Sequence, residues 1–508
     1  MTSVAVATAS QLAADAAYEV AAAGGNAVDC ALAAGLLAMN TEPGVCALAG
    51  GSFITIWQHG GAPVTIDGNV AVPGAGLAAD ERGQGATAVT MDYGGGIETL
   101  VGAGAVAIPG SLAAIEHAWK KFGAAGWETI FAPSIRAARD GFPLSAACHY
   151  YLSYSGDCIF ARSDDGHSAL HHPDGTLRDA GSRIVVPHLA DTLDAISREG
   201  ASLFYAGELA AVLSDHCRDG GGMLTREDLS AYRAIERPSL MTNVGNWRIA
   251  SNPPPAVGGA MLAAMLLACA DLPATEWNRE TLASLIRAQR ACLDFRQRHL
   301  DLEDDIGAAA TRLVELARSG KLVSEWTSAC TVHTSVVDSS GTGCAITSSS
   351  GYGSGEMPAK TGLWLNNCLG EIELNRHGLD AGPPGSRLPS NMAPSVARHN
   401  GAVLAVGSPG ADRISTALQQ FLINYLQFDM SLEDALAHPR IHVDTSGEET
   451  RLMAEPGLDL PDTNLPVNVF PELVMYFGGV GVATHYDATG LAAAADPRRA
   501  GGTCIYDG

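Results

Sequence analysis

The chain has 508 residues, 47% of them hydrophobic and 17% charged, with 31 basic against 55 acidic side chains and a formal charge of −24. That length buries a large core without help from metal or disulfides, and the charge opposes binding to nucleic acid or to anionic membranes. Eleven cysteines without a C-x-x-C pair form neither a disulfide framework nor a zinc site. The opening Met1-Thr2-Ser3-Val4-Ala5 carries no basic export signal, and the apolar run Cys30 to Met39 is too short to span a bilayer. The expectation is a soluble, acidic, cytoplasmic enzyme acting on a small molecule.

Gln11 to Ala23 has helical apolar spacing and ends at Gly24-Gly25. Asn26 then reads as the N-cap of a second helix, with Asp29 three residues on, running to Met39 and stopped by Thr41-Glu42-Pro43-Gly44. Ser52–Trp57 and Pro63–Asp67 read as paired strands around Gly60-Gly61. From Pro109 to Leu300 the pattern is mostly helical, broken by loops such as Ser163 to Gly175. In that loop His167, His171 and His172 beside Asp164 and Asp165 match no metal-ligand spacing, and neither metal nor cofactor is expected. Gly102-x-Gly104 with Gly110 lacks dinucleotide-binding spacing, and the acidic run Asp301 to Asp305 reads as a solvated helix end.

After a helix over Ala308–Arg318 comes a segment through Cys330, and then strands dominate: Thr331–Asp338, Gly343–Ser349, Leu363–Leu365 and Ala402–Gly407. An amphipathic helix over Arg413–Gln427 follows, with Ile414, Leu418, Phe421, Leu422 and Tyr425 on its apolar side. Strands paired with helices in this order predict a layered α/β architecture. The strand opening Thr331-Val332-His333 begins abruptly at a threonine. Taken alone it also fits an ordinary strand start; if the Cys330–Thr331 bond is cut, the hydroxyl becomes a nucleophile whose own α-amine takes the proton.

Motifs along nearly the whole chain settle on one family. They are Ala23-Gly24-Gly25-Asn26-Ala27-Val28-Asp29, Gly50-Gly51-Ser52-Phe53, Ile108-Pro109-Gly110-Ser111 and Phe131-Ala132-Pro133-Ser134-Ile135-Arg136. Asp140-Gly141-Phe142-Pro143, Phe204-Tyr205-Ala206-Gly207, Leu224 to Leu229 and the Pro253 to Gly259 loop continue the order. Thr331-Val332-His333, Leu365-Asn366-Asn367, Pro389 to Pro394, Gly407-Ser408-Pro409-Gly410 and Asp496-Pro497-Arg498-Arg499 complete it. The ordered set resembles the γ-glutamyltranspeptidase family of N-terminal-nucleophile hydrolases. The resemblance implies a four-layer αββα sandwich with two stacked antiparallel sheets. It also implies self-cleavage before Thr331, giving a large-subunit segment 1–330 and a small-subunit segment 331–508 that stay associated.

The resemblance places the nucleophile at Thr331, a helping hydroxyl at Ser349 and an oxyanion hole at the backbone N–H groups of Gly410 and Ala411. Ala411 stands where the family has a second glycine, although a backbone donor survives that change. His333 shares a strand face with Thr331, but the α-amine makes a second base unnecessary, and a packed, hydrogen-bonded histidine is expected. Ser390 and Asn391 fall at the family's substrate-holding serine pair, and Glu371 at the acidic residue that grips the substrate amine. Cys368 replaces a family glutamine, and Ser350-Gly351 falls near a family asparagine contact.

The departure with most bearing on substrate is Asn69, where typical members carry an arginine that clamps the γ-glutamyl α-carboxylate. An amide cannot reproduce that fork. Catalytic residues thus look kept while glutamate recognition is eroded. The pattern resembles the specialised γ-glutamyltranspeptidase-like proteins of lincomycin, hormaomycin and pyrrolobenzodiazepine biosynthesis, which cleave a C–C bond next to a carbonyl in a pyrroline-carboxylate precursor. The alternatives are a conventional γ-glutamyltransferase or glutathione hydrolase, a β-lactam side-chain acylase, and an inactive, uncut binding protein.

Overall fold

The computed structural model describes residues 2–92, 96–300, 303, 305–320, 331–445 and 449–508. Thirteen strands build two antiparallel sheets. In chain order they are β1 (Val4–Thr8), β2 (Gly51–Trp57), β3 (Val64–Gly68), β4 (Ile235–Pro238), β5 (Leu240–Val244), β6 (Trp247–Ser251) and β7 (Val332–Asp338). Then come β8 (Gly343–Ser349), β9 (Ser395–His399), β10 (Ala402–Gly407), β11 (Gly481–Tyr486), β12 (Gly490–Ala495) and β13 (Gly502–Tyr506). The first sheet runs β13-β1-β7-β8-β2-β3-β4 and the second β12-β11-β10-β9-β6-β5.

Alternation along the strands explains the stacking. In β1, Val4 and Val6 face the helix-covered core, whereas Ala5 faces the other sheet with Val337, Ala345, Val396, Ala405 and Ala483. Mostly small side chains fill that inner layer, so the sheets approach closely. Helices α1 (Gln11–Ala22), α2 (Ala27–Thr41) and α3 (Ser111–Phe122) cover the outer face of the first sheet, the helix Trp127–Asp140 packs on α1 and α2, and α4 (Ala146–Ser155) joins the same core. Helices α5 (Val257–Ala268), α6 (Arg279–His299), α7 (Ile306–Arg318) and α8 (Arg413–Leu426) share the core outside the second. This is the four-layer αββα sandwich.

The cap at α2 forms as the sequence predicts: Asn26 accepts from the N–H groups of Val28 and Asp29, and the Asp29 carboxylate accepts from Asn26 N–H at 3.0 Å. Three expectations need correction. The span from Pro109 to Leu300 is not helical throughout, because β4, β5 and β6 lie inside it and join both sheets. Leu363–Leu365 is not a strand; its one ladder contact is an isolated bridge from Leu365 to Ala49. Within Ser163 to Gly175, residues Asp164–Leu170 form a helix capped by the Ser163 hydroxyl, with Asp164 and Asp165 favouring its N-terminus.

Asp301, Leu302 and Asp304 of the acidic run lie outside the described residues, and Asp305 caps the start of α7. The segment through Cys330, and so the expected scissile bond's acyl side, also lies outside them. Among the described residues no helix is long and apolar enough to cross a membrane. The ten described cysteines are all free thiols.

Candidate active site

Strands β7 and β8 pair from Val337 and Gly343 back to Val332 and Ser348. One residue beyond that last pair stand Thr331 and Ser349, so the hairpin delivers two hydroxyls to one end of the first sheet. Both line a single cavity with Asn69, Cys368, Glu371, Ser390 and Asn391, and its apolar wall is Val70, Leu374, Pro389 and Met392. Six of the eight residues singled out in the sequence therefore meet in one place. Thr331 itself is buried.

Each wall residue is held by its own local chemistry. Asn69 follows β3; its Nδ2 donates to Leu388 carbonyl at 2.7 Å, and its own carbonyl accepts from the Tyr232 hydroxyl at 2.6 Å. The carbonyl of Ser390 accepts from Val257 and Gly258 at the start of α5, both at 2.9 Å. A Cβ on Gly258 would stand 2.1 Å from the Asn391 carbonyl oxygen, so the Pro253 to Gly259 loop requires glycine there. Gly351, with φ of +65°, plays the same part opposite: a Cβ would lie 2.8 Å from Glu371 Oε2. Asn366 and Asn367 fasten the neighbouring loops, Asn366 bonding Ala49, Ala107 and Cys368, Asn367 bonding Thr99, Leu100 and Tyr352.

Among the described residues no lysine or arginine lines this cavity. Arg387 and Arg237 lie close by in the fold, but both are tied to Asp67, at 3.2 and 2.9 Å, and Arg387 also stacks on the Tyr232 ring. The sequence reasoning missed Arg296, fully buried on α6, whose Nη1 donates to Asn391 Oδ1 at 2.8 Å. With its oxygen so engaged, Asn391 is left with a buried Nδ2 that has no hydrogen-bond partner among the described residues. Glu371 Oε1 is buried and unpartnered in the same way. Burial, reinforced by the neighbouring Glu373, pushes the Glu371 carboxyl well above the usual range; burial raises Glu373 to about 7. Two orphaned polar atoms on one cavity mark where a ligand's polar groups belong.

His333 is packed as expected: Nδ1 lies 2.8 Å from the Thr347 hydroxyl and Nε2 2.7 Å from that of Ser335. Burial lowers its pKa to about 3, so it stays neutral and is unsuited to general-base work near pH 7.

Gly410 and Ala411 are not among the residues lining the Thr331 cavity. They follow β10 in a turn whose first residue, Gly407, lies against the His333 ring; a Cβ there would be 2.3 Å from it. Their N–H groups make no hydrogen bond among the described residues. Ala411 has a φ of +69° and Gly410 of +126°, which explains why the family has glycines here. Among the described residues, no three His, Cys, Asp or Glu side chains gather as a metal site.

The stacked sheets, with a hydroxyl residue opening an inner strand beside a cavity, have the architecture of an N-terminal-nucleophile hydrolase. The γ-glutamyltranspeptidase family profile matches residues 13–506, and the chain belongs to that family of enzymes. It is similar to the glutathione hydrolase proenzyme of Escherichia coli K12, 26% identical over 87% of this chain and 80% of the relative. It is also similar to the acylase ACY 1 proenzyme of Pseudomonas sp. V22, 29% identical over 85% of this chain and 80% of the relative. In fold it superposes on a cephalosporin acylase from Bacillus halodurans with a TM-score of 0.79 and 21% identity, covering 100% of this chain and 96% of that one. On LmbA2991HD the TM-score is 0.78 at 20% identity, covering 100% and 99%.

Proposed function

We propose that the chain matures by cutting itself before Thr331 into segments 1–330 and 331–508, and then acts as a specialised acyl-cleaving hydrolase. In maturation the Thr331 hydroxyl attacks the Cys330 carbonyl, the peptide nitrogen leaves with a proton as the new α-amine, and water hydrolyses the resulting ester. That amine, with an ordinary pKa of about 8, then takes the hydroxyl proton during turnover. Ser349 assists the hydroxyl, and the N–H groups of Gly410 and Ala411 take the oxyanion. Proenzymes among the relatives support the maturation step. Strands β7 and β8 of the small segment lie between β1 and β2 of the large one, so the two remain one folded body.

The observation that supports the substrate assignment is a Thr331 cavity lined by Asn69 and, among the described residues, by no lysine or arginine; the resemblance assigns the clamp to the Asn69 position. A γ-glutamyl α-carboxylate would find no guanidinium fork there. A compact cyclic substrate derived from an amino acid, such as a pyrroline carboxylate, fits better because its carboxylate need not sit at the Asn69 position. One carboxylate oxygen meets Asn391 Nδ2, backed by Arg296, and an electrophilic carbonyl faces Thr331. Collapse of the adduct would break the C–C bond to the neighbouring carbon, whose electron pair is delocalised as an enamine of the ring nitrogen and which takes the proton held by the Thr331 α-amine; water would then hydrolyse the Thr331 ester and free the acyl group. A β-lactam side-chain acylase is the second reading, favoured by the likeness to the acylase ACY 1 proenzyme.

Intact mass and a denaturing gel test maturation. The wild-type chain is expected as two fragments and Thr331→Ala as one inactive chain; a Thr331→Ala protein that splits at the same bond overturns the nucleophile. Parallel assays with a γ-glutamyl anilide, a cephalosporin side-chain amide and a dihydropyrrole carboxylate test the substrate. Fastest turnover of the γ-glutamyl compound would overturn the specialised reading.

A further inference from the structure

The Asp496-Pro497-Arg498-Arg499 motif contains two arginines with opposite surroundings. Arg498 is saturated, bonding Glu455, Asp496 and the carbonyls of Leu436 and His438. Among the described residues Arg499 forms no side-chain hydrogen bond and no ion pair, although its Nε is buried. Its stem is fixed against Gly479, where a Cβ would stand 2.6 Å from Arg499 Cδ. So held, it lines a second cavity that shares no residue with the first.

Glu42 and Ala147 stand in this cavity's wall with Val332 and His333, the two residues that follow Thr331. Glu42 is already engaged: its Oε2 accepts from Ser145 Oγ at 2.8 Å and from Cys148 Sγ at 2.7 Å, and no ion pair joins it to Arg499. Burial raises its pKa, which weakens it as a counter-charge. Ala147 lies in the first turn of α4, whose N-terminal N–H groups favour negative charge. Val45, Val332 and Val480 supply an apolar remainder. Asp496 also lines the cavity, but its carboxylate is paired with Arg440 and Arg498. Arg499, with Glu42 as a coulombic neighbour but no hydrogen-bonded partner among the described residues, is a fork for a carboxylate, and the apolar wall suits a short alkyl group.

We propose that this cavity is a binding site for a small organic carboxylate, held by Arg499 beside the start of the Thr331 strand. The site stands on Arg499 and its surroundings and is independent of the substrate reading above. The test is calorimetric titration of the full-length protein with acetate and propionate, and separately with chloride and inorganic phosphate at equal ionic strength. Saturable binding of the carboxylates is expected, weakened at least tenfold in Arg499→Gln and largely kept in Arg499→Lys. Gly479→Ala, which drives a Cβ into the Arg499 stem, is expected to weaken binding too, and serves if Arg499→Gln does not fold. Absence of saturable carboxylate binding, equal affinity in Arg499→Gln and Gly479→Ala, or binding of the inorganic anions alone would each overturn the proposal.

Discussion

Arg296 and Asn391 are 95 residues apart in sequence and joined by a hydrogen bond of 2.8 Å from guanidinium to amide oxygen. The bond fixes the orientation of the amide, and the positive charge beside its oxygen strengthens the unpartnered Nδ2 as a donor. If Asn391 holds substrate as proposed, Arg296 positions it. Arg296→Met is expected to raise KM about tenfold, the effect of losing a contact of about 1.4 kcal/mol, with a smaller change in kcat. Arg296→Lys should recover part of the loss. Steady-state kinetics on the fastest-turned-over substrate decide it; a fall in kcat with KM unchanged would assign Arg296 to folding alone.

The backbones of Gly410 and Ala411, the proposed oxyanion donors, give a paired test. A left-handed φ costs an L-residue about 1–2 kcal/mol, so Ala411→Gly is expected to stabilise the protein by about 1 kcal/mol while keeping the donor. Proline is a poor probe at Ala411, since its ring cannot adopt a φ of +69°. Gly410→Ala puts a Cβ 2.9 Å from Gly478 Cα and must displace the turn. Loss of an oxyanion donor lowers kcat by about 10²–10³. Denaturant melts and kcat together check the pair: equal, unimpaired activity in both variants would remove these N–H groups from the mechanism.

Much of this site was legible because its residues sit in short, ordered motifs: Thr331 opens a strand, Ser349 closes the partner strand, and Ser390-Asn391 follow a proline. Local capping was equally readable at Asn26 and Asp29, since its chemistry spans four residues. What stayed hidden depends on distant packing. Hairpin β5–β6 lies between helices, and its burial against β9 rather than local propensity makes it a sheet element. Arg296 and Gln289 lie on the otherwise apolar stripe of Leu285, Cys292 and Leu293 on α6, a signal that a polar partner waits inside. Nothing local names those partners, which are Asn391 for Arg296 and the N–H of Val443 for Gln289.

Glu371 makes pH a probe of the cavity. An unfolded glutamate titrates near pH 4.3 whereas the buried carboxyl titrates well above that, so between the two values the folded state holds a proton the unfolded state has released. Its contribution is most favourable below about pH 4.3 and declines as pH rises, by up to about 1.4 kcal/mol per unit. Glu371→Gln lacks this penalty. It is expected to be more stable than wild type at pH 7.5, with the advantage disappearing near pH 4. Urea melts across that range check the slope. If the substrate meets a neutral carboxyl, the near-isosteric amide should keep activity within about tenfold; a collapse of kcat/KM would mean that substrate binding ionises Glu371 to pair with an amine.

Asn69 tests substrate choice most directly. It lines the Thr331 cavity, and its amide is occupied by the Leu388 carbonyl, so it offers no second donor pair to a carboxylate. Asn69→Arg places a guanidinium where typical family members carry one. The substitution loses the 2.7 Å bond to Leu388, at a cost of about 1 kcal/mol, and must fit a larger side chain beside Gly51 and Val70. A charge-assisted carboxylate fork contributes about 1.5–3 kcal/mol, so kcat/KM for a γ-glutamyl anilide should rise by roughly ten- to a hundredfold. Turnover of a dihydropyrrole carboxylate should fall or stay level in the same variant. Opposite movement of the two substrates identifies Asn69 as a specificity residue. A wild-type protein that already hydrolyses the anilide faster than the cyclic substrate, with no gain in Asn69→Arg, would show that γ-glutamyl recognition here needs no arginine at this position.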